Sequence, residues 1–178
     1  FAIINNYVGF IFSAMATDYY PRLSLVSEDF FSSKILINRQ AEITLLILSP
    51  LLILLIITLN LVIGLLYTED FLSLNNMLYW AIIGVFFKIL SWPIVYYFLA
   101  LGNGLLYFYT ELAAVLYSTT LSILGYHFFG ITGLGIGYLI SQILYLIQSF
   151  IISKIRYDFM FTSQVIKTFF YNIIIAFI

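Results

Sequence analysis

Residues Thr44 to Tyr67 read TLLILSPLLILLIITLNLVIGLLY and contain no charged side chain. At about 1.5 Å of rise per residue, a helix of this length extends about 36 Å, which exceeds the ~30 Å thickness of a bilayer's hydrocarbon core. A membrane β-strand would alternate apolar and polar residues over about ten positions. This run is continuously apolar over twice that length and therefore predicts a membrane-spanning helix.

The remainder of the chain repeats this pattern. Hydrophobic residues make up 63% of the sequence and charged residues 8%, with seven Lys and Arg and eight Asp and Glu, whereas soluble domains are about half apolar and a quarter charged. We predict an all-α integral membrane protein, a polytopic bundle of about five to six spans. The predicted spans are residues 1–17, 44–67, 77–101, 105–126, 131–153 and 165–178, and a polar loop is expected at 18–41.

Several classes of function are disfavoured by composition. The net charge of −1 gives no indication of nucleic acid as a partner, and the lack of cysteine excludes disulfides and thiolate sites in this sequence. Phe1 is not a start methionine and the sequence stops within an apolar run, so we expect an internal piece of a longer chain. We do not expect a signal peptide, because no basic region precedes the first run.

Lys and Arg occur in the predicted loops 18–41 and 154–164 and are absent from 68–76 and 127–130. The turn at 102–104 falls on the same side as the basic loops. Because short cytoplasmic loops carry an excess of Lys and Arg, we predict that the basic loops and this turn are cytoplasmic and that the other two loops are external.

Lys88 lies about midway through the third predicted span. A lysine there costs at least ~2.5 kcal/mol on insertion scales, and such residues usually face a bundle interior or a watery cavity. Helical spacing places small side chains on its face, at Ala81, Gly84, Ser91 and Val95. The alternative is a lysine that reaches the interface or forms a structural ion pair.

Glu111 lies early in the fourth predicted span. Small and hydroxyl side chains continue its face, namely Ala114, Ser118, Ser122 and Gly125. A hairpin folded at residues 102–104 leaves Glu111 and Lys88 about 10 Å out of register. The alternative is a glutamate near the membrane interface, where ionisation costs little.

Two further features concern helix packing. Pro93 lies inside the third span and predicts a kink or local break, which in transporters commonly borders a binding site, although a harmless kink is equally compatible. Gly133, Gly137 and Ser141 form a small-residue ridge for helix packing. The glycines do not form a dinucleotide fingerprint because no βαβ unit surrounds them. Gln142 adds to a polar face on the same helix.

Two other groups have ordinary explanations. Glu69 and Asp70 form an acidic pair of the kind that membrane glycosyltransferases use, but a solvated loop with a helix cap explains them as well. His127 is the only histidine, and with no cysteine or nearby acidic partner we expect no metal site.

The segment Asp18-Tyr19-Tyr20-Pro21-Arg22-Leu23-Ser24 resembles the D-x-x-P-R-L-S segment of bacterial O-antigen flippases, which are polysaccharide translocases of the multidrug/oligosaccharidyl-lipid/polysaccharide exporter superfamily. Further elements follow in the family's order and extend the resemblance over about residues 8–160. They are Glu42 with Pro50, Leu66-Tyr67-x3-Phe71, Lys88-Ile89-Leu90-Ser91-Trp92-Pro93, Leu101-Gly102-x-Gly104, Phe108-Tyr109-x-Glu111 and Phe129-Gly130-x2-Gly133-x-Gly135-Ile136.

The resemblance implies a flippase of the bacterial inner membrane and not an enzyme. Its substrate would be an undecaprenyl-diphosphate-linked oligosaccharide, moved to the outer leaflet by alternating access. The chain would form most of the second of two lobes, with membrane lipids and a missing N-terminal lobe as further partners. No cofactor is implied beyond proton or sodium coupling. The run at 165–178 goes beyond the family's twelve-helix pattern.

On this basis we expect one group of residues to bind substrate and another to act in structure or gating. Lys88 would contact phosphate as a point charge, and Glu111 would pair with it or titrate during ion coupling. The expected substrate-binding residues are Lys88, Glu111, Ser91, Ser118 and Gln142. The expected structural or gating residues are Pro93, Gly133, Gly137 and Arg22.

Three alternatives stay open. A multidrug exporter of the same superfamily would bind an organic cation and would need a membrane acid more than a lysine. A membrane-embedded polymerase or glycosyltransferase usually needs a larger external loop than those predicted at 68–76 and 127–130. In a membrane scaffold without transport, the intramembrane charges would be replaceable.

Overall fold

The computed structural model describes residues 2–66 and 74–177, and in these ranges it contains helices and short connections but no strand. The predicted all-α class is confirmed. The helices described are α1 (Ala2–Val26), α2 (Phe30–Leu66), α3 (Leu74–Ala100), α4 (Gly104–Tyr157) and α5 (Ser163–Phe177). Of these, α2 (over residues Phe30–Leu61), α3 and α4 are long and apolar enough to cross a membrane.

Helix α4 is a hairpin of two antiparallel arms that meet at Gly130. The backbone of Gly130 has φ 60° and ψ −141°, a conformation that is accessible at low cost only to glycine. The backbones of Gly125 and Gly133 are in contact, and a Cβ on Gly137 would lie 2.6 Å from the Leu121 carbonyl oxygen. The first arm (104–129) and the second arm (131–157) correspond to the predicted fourth and fifth spans.

Helix α3 is the central helix of the bundle. Of its most apolar membrane-length stretch, 78% is buried, against 33% in α2 and 22% in α4. It lies against α2 and against the second arm of α4, where Gly135 contacts the backbone of Met77 and Gly84 contacts Tyr138 and Leu139. The glycine run of the second arm therefore serves two interfaces, since Gly133 and Gly137 face the first arm while Gly135 faces α3.

The segment predicted as a polar loop, 18–41, is helical except at residues 27–29. The charges of this segment suggest a loop, whereas the spacing of its buried residues is helical. Fully or almost fully buried residues recur every fourth position, and they are Tyr19 and Leu23 in α1 and Ser33, Ile37 and Ala41 in α2. This spacing puts them on one face of each helix, which packs into the bundle, whereas Asp18, Arg22 and Arg39 are exposed.

The connection 158–162 is bound to α2 by hydrogen bonds. The Thr162 backbone N–H donates to Asn38 Oδ1 at 2.7 Å, and Asn38 Nδ2 donates to the Met160 carbonyl oxygen at 3.1 Å. Lys34 Nζ donates to the Asp158 carbonyl oxygen at 3.2 Å. Helix α4 continues to Tyr157, so the predicted loop 154–164 is shorter than expected.

The segments predicted to be cytoplasmic meet at one end of the bundle. The Tyr97 hydroxyl donates to the Ser27 carbonyl oxygen at 3.5 Å, and the rings of Tyr97 and Tyr157 are 5.3 Å apart. The connection after α1, the end of α3 and the end of α4 are thereby brought together.

Helix α3 is helical through Pro93, so the proline does not break it. The Tyr19 hydroxyl donates to the Pro93 carbonyl oxygen at 2.9 Å, which ties α1 to α3 at this point. The predicted acidic pair, Glu69 and Asp70, lies outside the described residues.

Candidate functional site

Two cavities meet at Lys88. One has a volume of about 280 Å³ and the other about 270 Å³, and both are lined by Lys88, Glu111 and Tyr145. We call the first the hydroxyl cavity. Its other lining residues are Ala114, Val115, Tyr117, Ser118, Thr119, Ser141 and Gln142. We call the second the aromatic cavity. Its other lining residues are Gly9, Phe12, Ser13, Trp92, Val95, Tyr96 and Tyr107.

The Lys88 ammonium has no anion bound to it within residues 2–66 and 74–177. It lies 5.6 Å from the centroid of the Phe12 ring, a cation–π distance. Glu111 is the charged group that acts on it electrostatically, but the two are not joined by an ion pair within 4.0 Å; the one such pair found in the described ranges is Arg22–Asp18. The hairpin thus brings the two charges to one site without pairing them.

Glu111 is bound instead by the other arm of α4. The Tyr145 hydroxyl donates a hydrogen bond to Glu111 Oε1. One turn further along, Gln148 Nε2 donates to the Thr110 carbonyl oxygen at 3.3 Å. These two bonds cross from the second arm to the first, and they hold the carboxylate in the wall that the two cavities share.

Two buried polar atoms of the hydroxyl cavity lack a partner. They are the Tyr117 hydroxyl and Gln142 Oε1, and neither makes a hydrogen bond within the described parts of the chain. Buried polar groups are paired in the great majority of cases. The cavity lining as a whole, which combines the Lys88 ammonium with hydroxyls and an amide, can bind an anionic, hydroxyl-rich ligand.

The expected substrate-binding residues divide into two sets. Lys88, Glu111, Ser118 and Gln142 all line the hydroxyl cavity. Ser91 does not line either cavity: it is 0% exposed, and its hydroxyl donates to the Lys88 carbonyl oxygen of its own helix at 3.2 Å. Its side chain is too short to extend beyond the packed helix surface, whereas that of Lys88 is long enough.

The expected structural and gating residues lie away from the cavities. Gly133 and Gly137 form the contact between the arms of α4, and Pro93 accepts the bond from Tyr19. Arg22 forms an ion pair at 2.5 Å with Asp18 on the exposed side of α1. The two glycines and Pro93 therefore have packing roles and Arg22 a surface ion pair, and a role in gating stays a prediction for all four residues.

The aromatic lining residues are not among the site residues predicted from the sequence. Trp92 and Tyr96 follow Lys88 at intervals of four residues, so the helical periodicity that was applied to small residues also places these two on its face. Phe12 and Tyr107 come from α1 and α4, and only tertiary packing brings them to the site.

No group of three or more His, Cys, Asp or Glu residues in the described ranges is arranged to hold a metal ion. Comparisons of the chain with protein-family models, with curated proteins and with solved structures found no match.

Proposed function

We propose that this chain is part of a membrane transporter that moves an undecaprenyl-diphosphate-linked oligosaccharide across the bacterial inner membrane. The observation that carries the proposal is the unpaired ammonium of Lys88, which lies on the central apolar helix and faces two cavities. A cation inside a membrane bundle is costly without a compensating charge. A diphosphate supplies that charge as part of the substrate.

The hydroxyl cavity has the groups that a sugar–phosphate needs. Its lining combines the ammonium with the hydroxyl side chains of Ser118 and Thr119 and the amide of Gln142. These groups can exchange hydrogen bonds with sugar hydroxyls and phosphate oxygens. Binding and release through such contacts requires no covalent chemistry.

The exposed surface of α4 beside the hydroxyl cavity suits a lipid-linked substrate. Its lining includes Val115, which is 60% exposed on the first arm of α4. The same arm exposes further large apolar side chains, among them Leu112, Leu116 and Ile123. An isoprenoid chain can stay against this apolar surface in the bilayer while the diphosphate reaches Lys88.

An organic cation, the substrate of a multidrug exporter, fits the site less well. It would meet the free Lys88 ammonium, and the one acidic group lining the cavities, Glu111, already accepts the bond from Tyr145. An anionic substrate would instead meet an ammonium to which no acceptor is bonded in the described part of the chain.

The test replaces Lys88 in the complete protein and measures surface polysaccharide in a flippase-deficient strain, normalised to protein level. Lys88→Ala and Lys88→Met should insert normally and lose most of the delivery. Lys88→Arg should retain part of it, because the charge is kept while its shape changes. Lys167→Ala is the matched control, since Lys167 is exposed on α5. Full complementation by Lys88→Met would overturn the proposal, because a merely structural buried lysine tolerates that change.

A further inference from the structure

We infer that the aromatic cavity is the subsite for the sugar ring nearest the diphosphate. The inference rests on the proposed function and assigns a chemical class of ligand to one part of that site. The rings of Phe12, Trp92, Tyr96, Tyr107 and Tyr145 line this cavity, and they come from three helices.

The indole of Trp92 is held in place by its neighbours. Its ring centroid lies 4.8 Å from that of Tyr96, 5.2 Å from Phe12 and 5.5 Å from Tyr19. Tyr19 is 0% exposed, and its hydroxyl is bonded to the Pro93 carbonyl oxygen. The aromatic wall is therefore preorganised, so a ligand that stacks on it has little ordering cost to overcome.

The same wall carries free hydroxyls. The hydroxyls of Tyr96 and Tyr107 make no hydrogen bond within residues 2–66 and 74–177, and neither hydroxyl oxygen is fully buried. Both hydroxyls are therefore open to a ligand. Ser13 adds a third hydroxyl to the lining of the cavity.

This combination matches a pyranose ring. Such a ring presents C–H groups on its faces and hydroxyls around its rim. The face of an aromatic ring is electron-rich and attracts the slightly positive C–H groups, while tyrosine hydroxyls can pair with the rim. A lipid tail would leave the hydroxyls unpaired, and an organic cation would be repelled by Lys88, whose ammonium faces the Phe12 ring at 5.6 Å.

The position and the volume of the aromatic cavity indicate which ring of the oligosaccharide binds there. Lys88 lines both cavities, so a diphosphate at its ammonium places the first attached ring beside it. The volume of about 270 Å³ lies just below the ~300–1,000 Å³ of pockets for drug-sized ligands, which favours a single ring over a longer oligosaccharide.

The experiment compares two lipids on the complete protein in detergent, with dissociation constants measured by native mass spectrometry. One probe is undecaprenyl diphosphate, and the other is the lipid-linked repeat unit extracted from cells that lack the protein. Tyr96→Leu and Tyr107→Leu should each weaken binding of the sugar-bearing lipid about three- to tenfold. They should leave undecaprenyl diphosphate binding unchanged, which also shows that the variants are folded.

Two controls separate stacking from general damage. Tyr107→Phe keeps the ring and should lose less affinity than Tyr107→Leu. Tyr109→Leu changes a tyrosine of the same arm that is 63% exposed and outside both cavities, and it should have no effect. Lys88→Ala should weaken the binding of both lipids.

The outcomes distinguish the two proposals. The sugar subsite is refuted if Tyr96→Leu and Tyr107→Leu leave the binding of the sugar-bearing lipid unchanged, or if they weaken the binding of both lipids equally. In that case, weaker binding of both lipids to Lys88→Ala would still support the diphosphate site. If Lys88→Ala changes the binding of neither lipid, the proposed function fails.

Discussion

The Tyr145 hydroxyl donates a hydrogen bond to the Glu111 carboxylate and so joins the two arms of α4 beside Lys88. Both residues line both cavities. The carboxylate is therefore held by a tyrosine and is not an ion-pair partner of the lysine. This arrangement leaves the ammonium available to an anionic ligand while the carboxylate stabilises the hairpin.

Removing the Tyr145–Glu111 bond should loosen the hairpin. Tyr145→Phe leaves the carboxylate without its donor, and hydrogen bonds to charged groups contribute about 1.5–3 kcal/mol. We expect a lower melting temperature in detergent. Glu111→Gln keeps an acceptor oxygen and should cost less. A double-mutant cycle of the two changes should show coupling, because they share one bond; strictly additive losses would show that the bond does not contribute.

The contact between Gly125 and Gly133 should not tolerate a side chain on either residue. The Cβ of Gly133→Ala would collide with the Gly125 carbonyl, and overpacking of this kind typically costs about 1–3 kcal/mol. Gly137→Leu should likewise reduce abundance or thermal stability, because a Cβ there lies 2.6 Å from the Leu121 oxygen.

Gly64→Ala is the matched control for the glycine prediction. Gly64 lies in α2 with nothing within 4 Å of an added Cβ, so alanine should be neutral or stabilise the helix by up to ~1 kcal/mol. Equal melting temperatures for Gly133→Ala and Gly64→Ala would mean that the arms of α4 do not pack as described.

The sequence allowed the apolar helices to be predicted because each requires only a long uncharged or nearly uncharged run. The C-terminal part of α1 and the N-terminal part of α2 could not be predicted from charge alone. Arg22 and Lys34 suggested a loop, yet the four-residue spacing of Tyr19 with Leu23 and of Ser33 with Ile37 is helical. In that segment the buried face, and not the number of charges, decides the secondary structure.

The candidate site was predictable only where one helix supplies it. Lys88 is costly wherever it points in a membrane span, so its importance is visible in one segment. The approach of Glu111 to Lys88 depends on how the α4 hairpin packs on α3, and the unpartnered state of Tyr117 and Gln142 depends on the same packing. Single-helix periodicity contains no information on either.

Asp29 should make stability depend on pH in the acid range. Its carboxylate accepts from the Ser32 hydroxyl at 2.5 Å and from the Phe31 backbone N–H at 3.1 Å at the start of α2. The Ser32 hydroxyl bond is the main cause that holds the pKa of Asp29 below its usual value of 3.8. A lowered folded pKa contributes stability above the unfolded value, and this contribution is lost as pH falls through the folded pKa.

The change with acid should be measured against Asp29→Asn, which cannot titrate at this position. Below about pH 4, the melting temperature of the parent should fall more steeply than that of the variant, and above that pH the two curves should run parallel. Parallel curves over the whole range would show that Asp29 does not contribute to the acid sensitivity.

The final prediction concerns orientation, and the lack of cysteine in this sequence makes it accessible to single-cysteine labelling. Tyr97 contacts both Ser27 and Tyr157, so Leu25→Cys and Ile155→Cys lie at one end of the bundle, at sites 87% and 78% exposed. Both should be protected from an impermeant thiol reagent in intact spheroplasts, because these segments carry the excess of Lys and Arg that is typical of cytoplasmic loops. His127→Cys, next to the turn of α4, should react. Labelling of Leu25→Cys and Ile155→Cys but not of His127→Cys would invert the orientation, whereas different labelling of the first two would contradict the packing of α1 and α4 at a common end.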